Sequence, residues 1–161
     1  MKKIVKNIIE HQNNNIAITS TSHPPLYYNE LKLLINNISS QLAANDLSNK
    51  DRAAIVLPNG PHMATSFLAI SSYMSAAPLN PNYKAEEFEF YLGDLKPKIL
   101  IVEPNSKNPA VEVAKKLKIP VCEIKTTENT PSGMFDLFNN TKDFELPNEE
   151  DESLVLHTSG T

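Results

Sequence analysis

Tryptophan is absent from the 161 residues, and there is one cysteine, one arginine and only four glycines. Each scarcity removes a class of chemistry. The lone Cys122 can form no internal disulfide, which excludes a disulfide scaffold and suits a reducing compartment. Its place in the apolar run 119–124 marks it as a small buried hydrophobe rather than a nucleophile. With Arg52 as the only arginine, an arginine cluster that grips phosphates or bases bidentately cannot be built. A net charge of −4 and a pI of about 5.6 supply no attraction for nucleic acid or an anionic membrane. No apolar run approaches the ~20 residues of a membrane span. Lys6, Asn7 and Glu10 interrupt the apolar stretch that a leader peptide would need. A soluble cytoplasmic protein is the expectation.

What is present is a globular composition, 40% hydrophobic and 21% charged, at a length sufficient for one core. Ile4, Val5, Ile8 and Ile9 predict a short amphipathic helix, and 16–19 with 26–28 predict a small hairpin. His23, in the loop between them, reads as a solvated histidine. Leu31, Leu34, Ile35, Ile38 and Leu42 repeat at helical spacing, with Asn45 and Asp46 able to supply the left-handed turn that follows. The continuously apolar 53–57 reads as a central parallel strand. Asn59 is the expected N-cap of the next helix, with Pro61 in its first turn and Met63, Phe67, Ile70 and Met74 on its buried side. A strand at 76–79, a helix at 85–95, a strand at 98–102, a helix at 110–117 and a strand at 120–124 continue the alternation. That rhythm predicts an α/β fold, a mostly parallel sheet with helices on both faces. Residues 126–152 break it with a polar, linker-like connection in which 134–138 are expected to form one turn of helix.

The chain returns to apolar character at Leu154, Val155 and Leu156 and closes with His157, Thr158, Ser159, Gly160 and Thr161. An apolar run feeding a hydroxyl and glycine cluster is the pattern of a strand entering an anion-holding turn, and equally of an ordinary strand-ending loop. His157 at that junction has two readings, a general base or a hydrogen-bonded turn residue, of which the second is simpler. His11 and His62 read as solvated. No spacing of His, Cys, Asp or Glu suggests a metal site.

Three segments in this order decide between these readings: DRAAIVLPN at 51–59, AAPLNPNYKAEEFEFYLGDL at 76–95 and LVLHTSGT at 154–161. Together they resemble the amino-terminal part of the adenylate-forming enzymes, the superfamily of acyl-CoA synthetases, luciferases and peptide-synthetase adenylation domains. AEEFEFYLGDLKPK and LHTS are most similar to the oxalate:CoA ligase group, including its peroxisomal members. Tyr27 departs from the pattern by standing where a threonine or serine usually caps the first long helix.

The resemblance implies one unit over 1–161, the truncated first subdomain of the adenylate-forming fold. Residues 1–28 would be its helix and hairpin lead-in, 29–125 its β/α core, 126–152 a polar connection, and 153–161 a strand with the first half of the phosphate loop. It further implies ATP, Mg²⁺ and CoA as cofactors and a small carboxylic acid, oxalate among the candidates, as substrate. Thr158, Ser159, Gly160 and Thr161 would contact the ATP phosphates, and magnesium would arrive with the nucleotide. The parent would be an acid–thiol ligase, with the remainder of that enzyme as partner and this fragment alone inactive. The alternative is a free-standing α/β nucleotide- or phosphate-binding module, or an interaction domain without catalysis. A peroxisomal location would need a carboxy-terminal signal beyond this chain.

Overall fold

The computed structural model describes residues 7–8, 14–148 and 150–156. Of the expected amino-terminal helix, Ile4, Val5 and Ile9 lie outside the described residues; Asn7 and Ile8 are helical, and Ile8 packs against the core. The hairpin forms as predicted, with β1 (Ile16–Ile18) antiparallel to β2 (Leu26–Tyr27). Helix α1 (Tyr28–Ala44) starts without a hydroxyl cap. In its place the Glu30 carboxylate accepts the Tyr27 N–H at 2.8 Å, satisfying one of the donors that a helix start leaves unpaired. Asp46, with φ of 58°, provides the left-handed turn after it.

The core is a parallel sheet of β3 (Arg52–Val56), β4 (Ser75–Pro78), β5 (Ile99–Val102) and β6 (Val121–Glu123), in the order β4-β3-β5-β6. Leu154 adds to the outer side of β4 through a parallel bridge to Ala76. The connecting helices are α2 (Pro61–Tyr73), α3 (Ala85–Leu95) and α4 (Pro109–Lys116). Alternation along each strand divides the interior in two. Ala53, Ile55, Ala76, Ile99 and Ile101 face α1 and α2. Ala54, Val56, Ala77, Leu100 and Val102 face α3 and α4. A strand apolar on both sides is the requirement of a sheet covered on both faces. Among the described residues, no helix is long and apolar enough to cross a membrane.

Three expectations are corrected. Helix α2 is capped by Gly60, not Asn59, because Pro61 already fills the first helical position and contributes no N–H. Of its expected buried side, Ile70 and Met74 are buried as predicted, but Met63 and Phe67 are only half-buried, and Thr65, Ser66, Ala69, Ser71, Ser72 and Tyr73 are buried instead. Small residues win because α1 lies close: the buried Ser39 and Ser72 hydroxyls sit 3.4 Å apart across the two helices. The third correction concerns 126–152. Residues 134–138 form no helix; Asp136 instead makes an antiparallel bridge to Lys125, with N–H···O distances of 2.7 and 2.9 Å. Phe135 and Leu137 are 3% and 1% exposed and belong to the core. Both backbone amides of Leu137 and Phe138 donate to the Gln41 side-chain oxygen, each at 2.8 Å. The segment is a strap bound to α1 through a buried glutamine.

Candidate functional site

Strands β3, β4 and β5 run parallel and end on one edge of the sheet. In open α/β sheets the crevice beyond the carboxyl ends of the strands is where ligands settle. Here it encloses about 1000 Å³, walled by the loops that follow those three strands and by Leu156 of the returning segment. Each loop sets a proline beside an asparagine: Pro58 with Asn59, Asn80 with Pro81, and Pro104 with Asn105. Proline fixes the backbone, and asparagine tolerates turn geometry and supplies amide donors. Asn105 takes φ of 55°, and its N–H donates to Glu123 at 3.0 Å. Asn108 joins two walls. Its side-chain nitrogen donates to the Pro81 carbonyl at 2.8 Å while its oxygen caps α4 by accepting from Ala110 N–H at 3.0 Å.

The crevice is close to neutral. Lys107 and Glu103 are its two charged lining residues, beside Ser106 and five asparagines. Such donors suit a nucleotide whose charge is largely balanced by its metal; they would hold a bare triphosphate weakly, because neutral hydrogen bonds are about half as strong as charge-assisted ones. Among the described residues, no cluster of three or more His, Cys, Asp or Glu side chains could hold a metal ion.

At the opposite edge, Arg52 makes a bidentate pair with Glu152, Nε to Oε1 at 2.8 Å and Nη2 to Oε2 at 3.0 Å. That contact holds the Glu152 carboxyl below the usual carboxylate range and raises the guanidinium. The sole arginine therefore serves the strap that leads to Leu154.

His62, expected to be solvated, is half-buried at the start of α2. Burial pushes its pKa below the ordinary histidine value, opposed by a hydrogen bond to the Met134 backbone; the neighbouring His23 lowers it further. The two rings meet edge to face, with centroids 6.4 Å apart, so His23 is likewise engaged. Cys122 is buried, and desolvation raises its thiol to about 11, in keeping with an inert structural role.

Over residues 6–161 the chain matches the family model described as AMP-binding enzyme. The chain belongs to the AMP-binding enzyme family. It is 36% identical over 154 residues to a probable CoA ligase, CCL9, of Humulus lupulus, covering 90% of this chain and 29% of the relative. To the oxalate–CoA ligase of Arabidopsis thaliana it is 33% identical over 173 residues, covering 98% of this chain and 32% of the relative. The chain thus spans about a third of the length of these curated relatives. Apo MatB from Rhodopseudomonas palustris shares the fold, with a TM-score of 0.74 at 20% identity over 99% of this chain and 33% of that one.

As an AMP-binding enzyme family member, the chain has its predicted phosphate contacts, Thr158, Ser159, Gly160 and Thr161, outside the described residues, as is His157. The structure describes their approach. The Ala76 N–H donates to the Ser153 carbonyl and the Val155 N–H to the Ala76 carbonyl, both at 3.0 Å, and the next residue, Leu156, lines the crevice. Sequence reasoning missed the roles of Asn108 and Glu152. For Glu152 a signal existed in a lone arginine at the head of an apolar strand; for Asn108 there was only its N-cap position before Pro109.

Proposed function

We propose that this chain is the amino-terminal subdomain, 1–161, of an ATP-dependent carboxylate:CoA ligase, and that Thr158, Ser159, Gly160 and Thr161 contact the ATP phosphates. The carrying observation is the parallel pairing of Leu154 with Ala76, which brings the chain at Leu156 to the crevice at the strand ends. The names of the relatives support CoA as acceptor and oxalate as acid. In the proposed reaction a carboxylate oxygen attacks the α-phosphorus of ATP with release of pyrophosphate, and a thiol then takes the acyl group with release of AMP. The hydroxyls of 158–161 donate to phosphate oxygens, and Gly160 lets backbone N–H groups approach closely. Magnesium enters with the nucleotide.

Alone, the chain is expected to bind ATP no tighter than millimolar and to catalyse no ATP–pyrophosphate exchange with oxalate. Titration with Mg-ATP followed by backbone amide NMR tests this. Shifts at 158–161 and at crevice residues such as Asn59 and Asn80, saturating in the millimolar range, are predicted. Shifts confined to other surfaces, or a micromolar constant, would overturn the assignment. Joining the chain to the remaining two thirds of the Arabidopsis relative and measuring exchange with oxalate against malonate and succinate tests the acid.

A further inference from the structure

Between Asn148 and Leu156 the chain crosses from one end of the sheet to the other, and its pairing with β4 is slight. Two hydrogen bonds and one bridged residue, Leu154 on Ala76, hold it. So short a pairing specifies register weakly, and a slip of one residue would move everything beyond it by about 3.3 Å along the sheet and reverse the side-chain faces. A hydrogen-bond donor displaced that far misses its acceptor.

The feature that fixes register lies one residue upstream. Arg52 stands opposite Ser75 on β4, one step before Ala76, and its guanidinium grips both oxygens of Glu152, one step before Ser153. Asp151 adds a second tie by accepting from the Asn49 side chain at 3.0 Å and from the Asn148 backbone N–H at 2.6 Å. A planar fork engaged at two atoms has one geometry, unlike a point charge. We infer that Arg52 is a positioning residue: its two-point grip on Glu152 sets the register of 153–155 along β4, and so where Leu156 meets the crevice and the chain is directed towards it. The inference rests on the phosphate reading of 158–161 for its purpose and on the Arg52 geometry for its mechanism.

Amide hydrogen exchange on the 161-residue chain separates the two. In Arg52→Gln and in Glu152→Gln, exchange of the Val155 and Ala76 N–H groups is expected to accelerate about two- to five-fold, the range of a solvent-accessible ion pair. Amides of β5, such as Ile101, keep their protection, which a general loss of stability would not allow. Arg52→Lys recovers little, lacking the fork, whereas the exchanged pair Arg52→Glu with Glu152→Arg recovers most of it. Unchanged exchange at Val155 in the single variants, or no recovery in the exchanged pair, would overturn the positioning role. Inorganic tripolyphosphate added to the unaltered chain reads the other half: amide shifts at 158–161 support the phosphate reading, and their absence defeats that reading without touching the exchange result.

Discussion

Replacing Gln41 by leucine removes the group on which the strap is hung. The Gln41 side chain is 3% exposed, and its oxygen accepts from Leu137 N–H and Phe138 N–H, both at 2.8 Å. Its nitrogen donates to Asp136 Oδ1 at 2.7 Å. Leucine has similar volume, so packing loss is small and the cost is chiefly that of orphaned donors. A buried unsatisfied donor costs about 1–3 kcal/mol. Leu137 is fully enclosed and takes the upper part of that range, while Phe138 is half-buried and takes the lower. Asp136 retains the Asn37 side-chain donor at 2.7 Å. The sum is about 2–4 kcal/mol, which for a chain of this size lowers Tm by roughly 4–16 °C. Urea unfolding followed by circular dichroism measures the loss, and the Asn37→Ala variant, which removes an exposed donor to the same carboxylate, should cost less than about 1 kcal/mol. A Gln41→Leu loss below about 1 kcal/mol would refute the assignment of the strap to the core.

The glycines offer a paired test by thermal melting: Gly133 has φ of +78° and a Cβ there would lie 2.8 Å from the Pro61 carbonyl oxygen, so Gly133→Ala should destabilise by more than about 1 kcal/mol, whereas Gly93 in α3 meets nothing within 4 Å and Gly93→Ala should stabilise by about 0.5–1 kcal/mol. His62 is held neutral by burial; the unfolded chain takes up its proton at about pH 6.5, so its contribution is complete above that value and is lost as pH falls towards the lowered folded value. Unfolding free energies measured against pH should therefore decline less steeply below about 6.5 in His62→Gln than in the unaltered chain. With its thiol raised from 9.0 to about 11, Cys122 should react with iodoacetamide near pH 8 at least about 100-fold more slowly folded than in urea, since the thiolate is the nucleophile.

The legible parts of this fold are those in which one local pattern had one interpretation. Residues 53–57 are apolar at every position, and only a strand covered on both faces uses such a run; β3 is the central partner of β4 and β5. Helix α3 falls within its predicted bounds because the Phe88, Leu92 and Leu95 stripe, the early glutamates and Lys96 in the left-handed region agree. The strap was illegible for the opposite reason. In Phe135, Asp136 and Leu137 a period of two spans too few residues to compete with the polar sequence around it, and the partner that pairs with its backbone, Gln41, lies about a hundred positions away on the polar side of a predicted helix. The site divides in the same way. Strand ends, and therefore the crevice, follow from the β/α alternation, while the bridge from Asn108 to Pro81 and the pair of Arg52 with Glu152 are long-range contacts of exposed residue types, which no local pattern encodes.

The two edges of the sheet handle charge differently, and the separation has a physical consequence. At the amino ends of the strands, Arg52 is paired with Glu152; at the carboxyl ends the lining is mostly asparagine, proline and apolar side chains, with Lys107 and Glu103 as its two charged residues. A five-residue strand such as β3 spans about 16 Å, roughly two Debye lengths at physiological ionic strength. A mutually neutralised pair at that distance contributes almost no potential at the crevice. The strap can therefore be tightened or loosened through charge without altering the field at the crevice, where Lys107 and Glu103 are the charged lining residues.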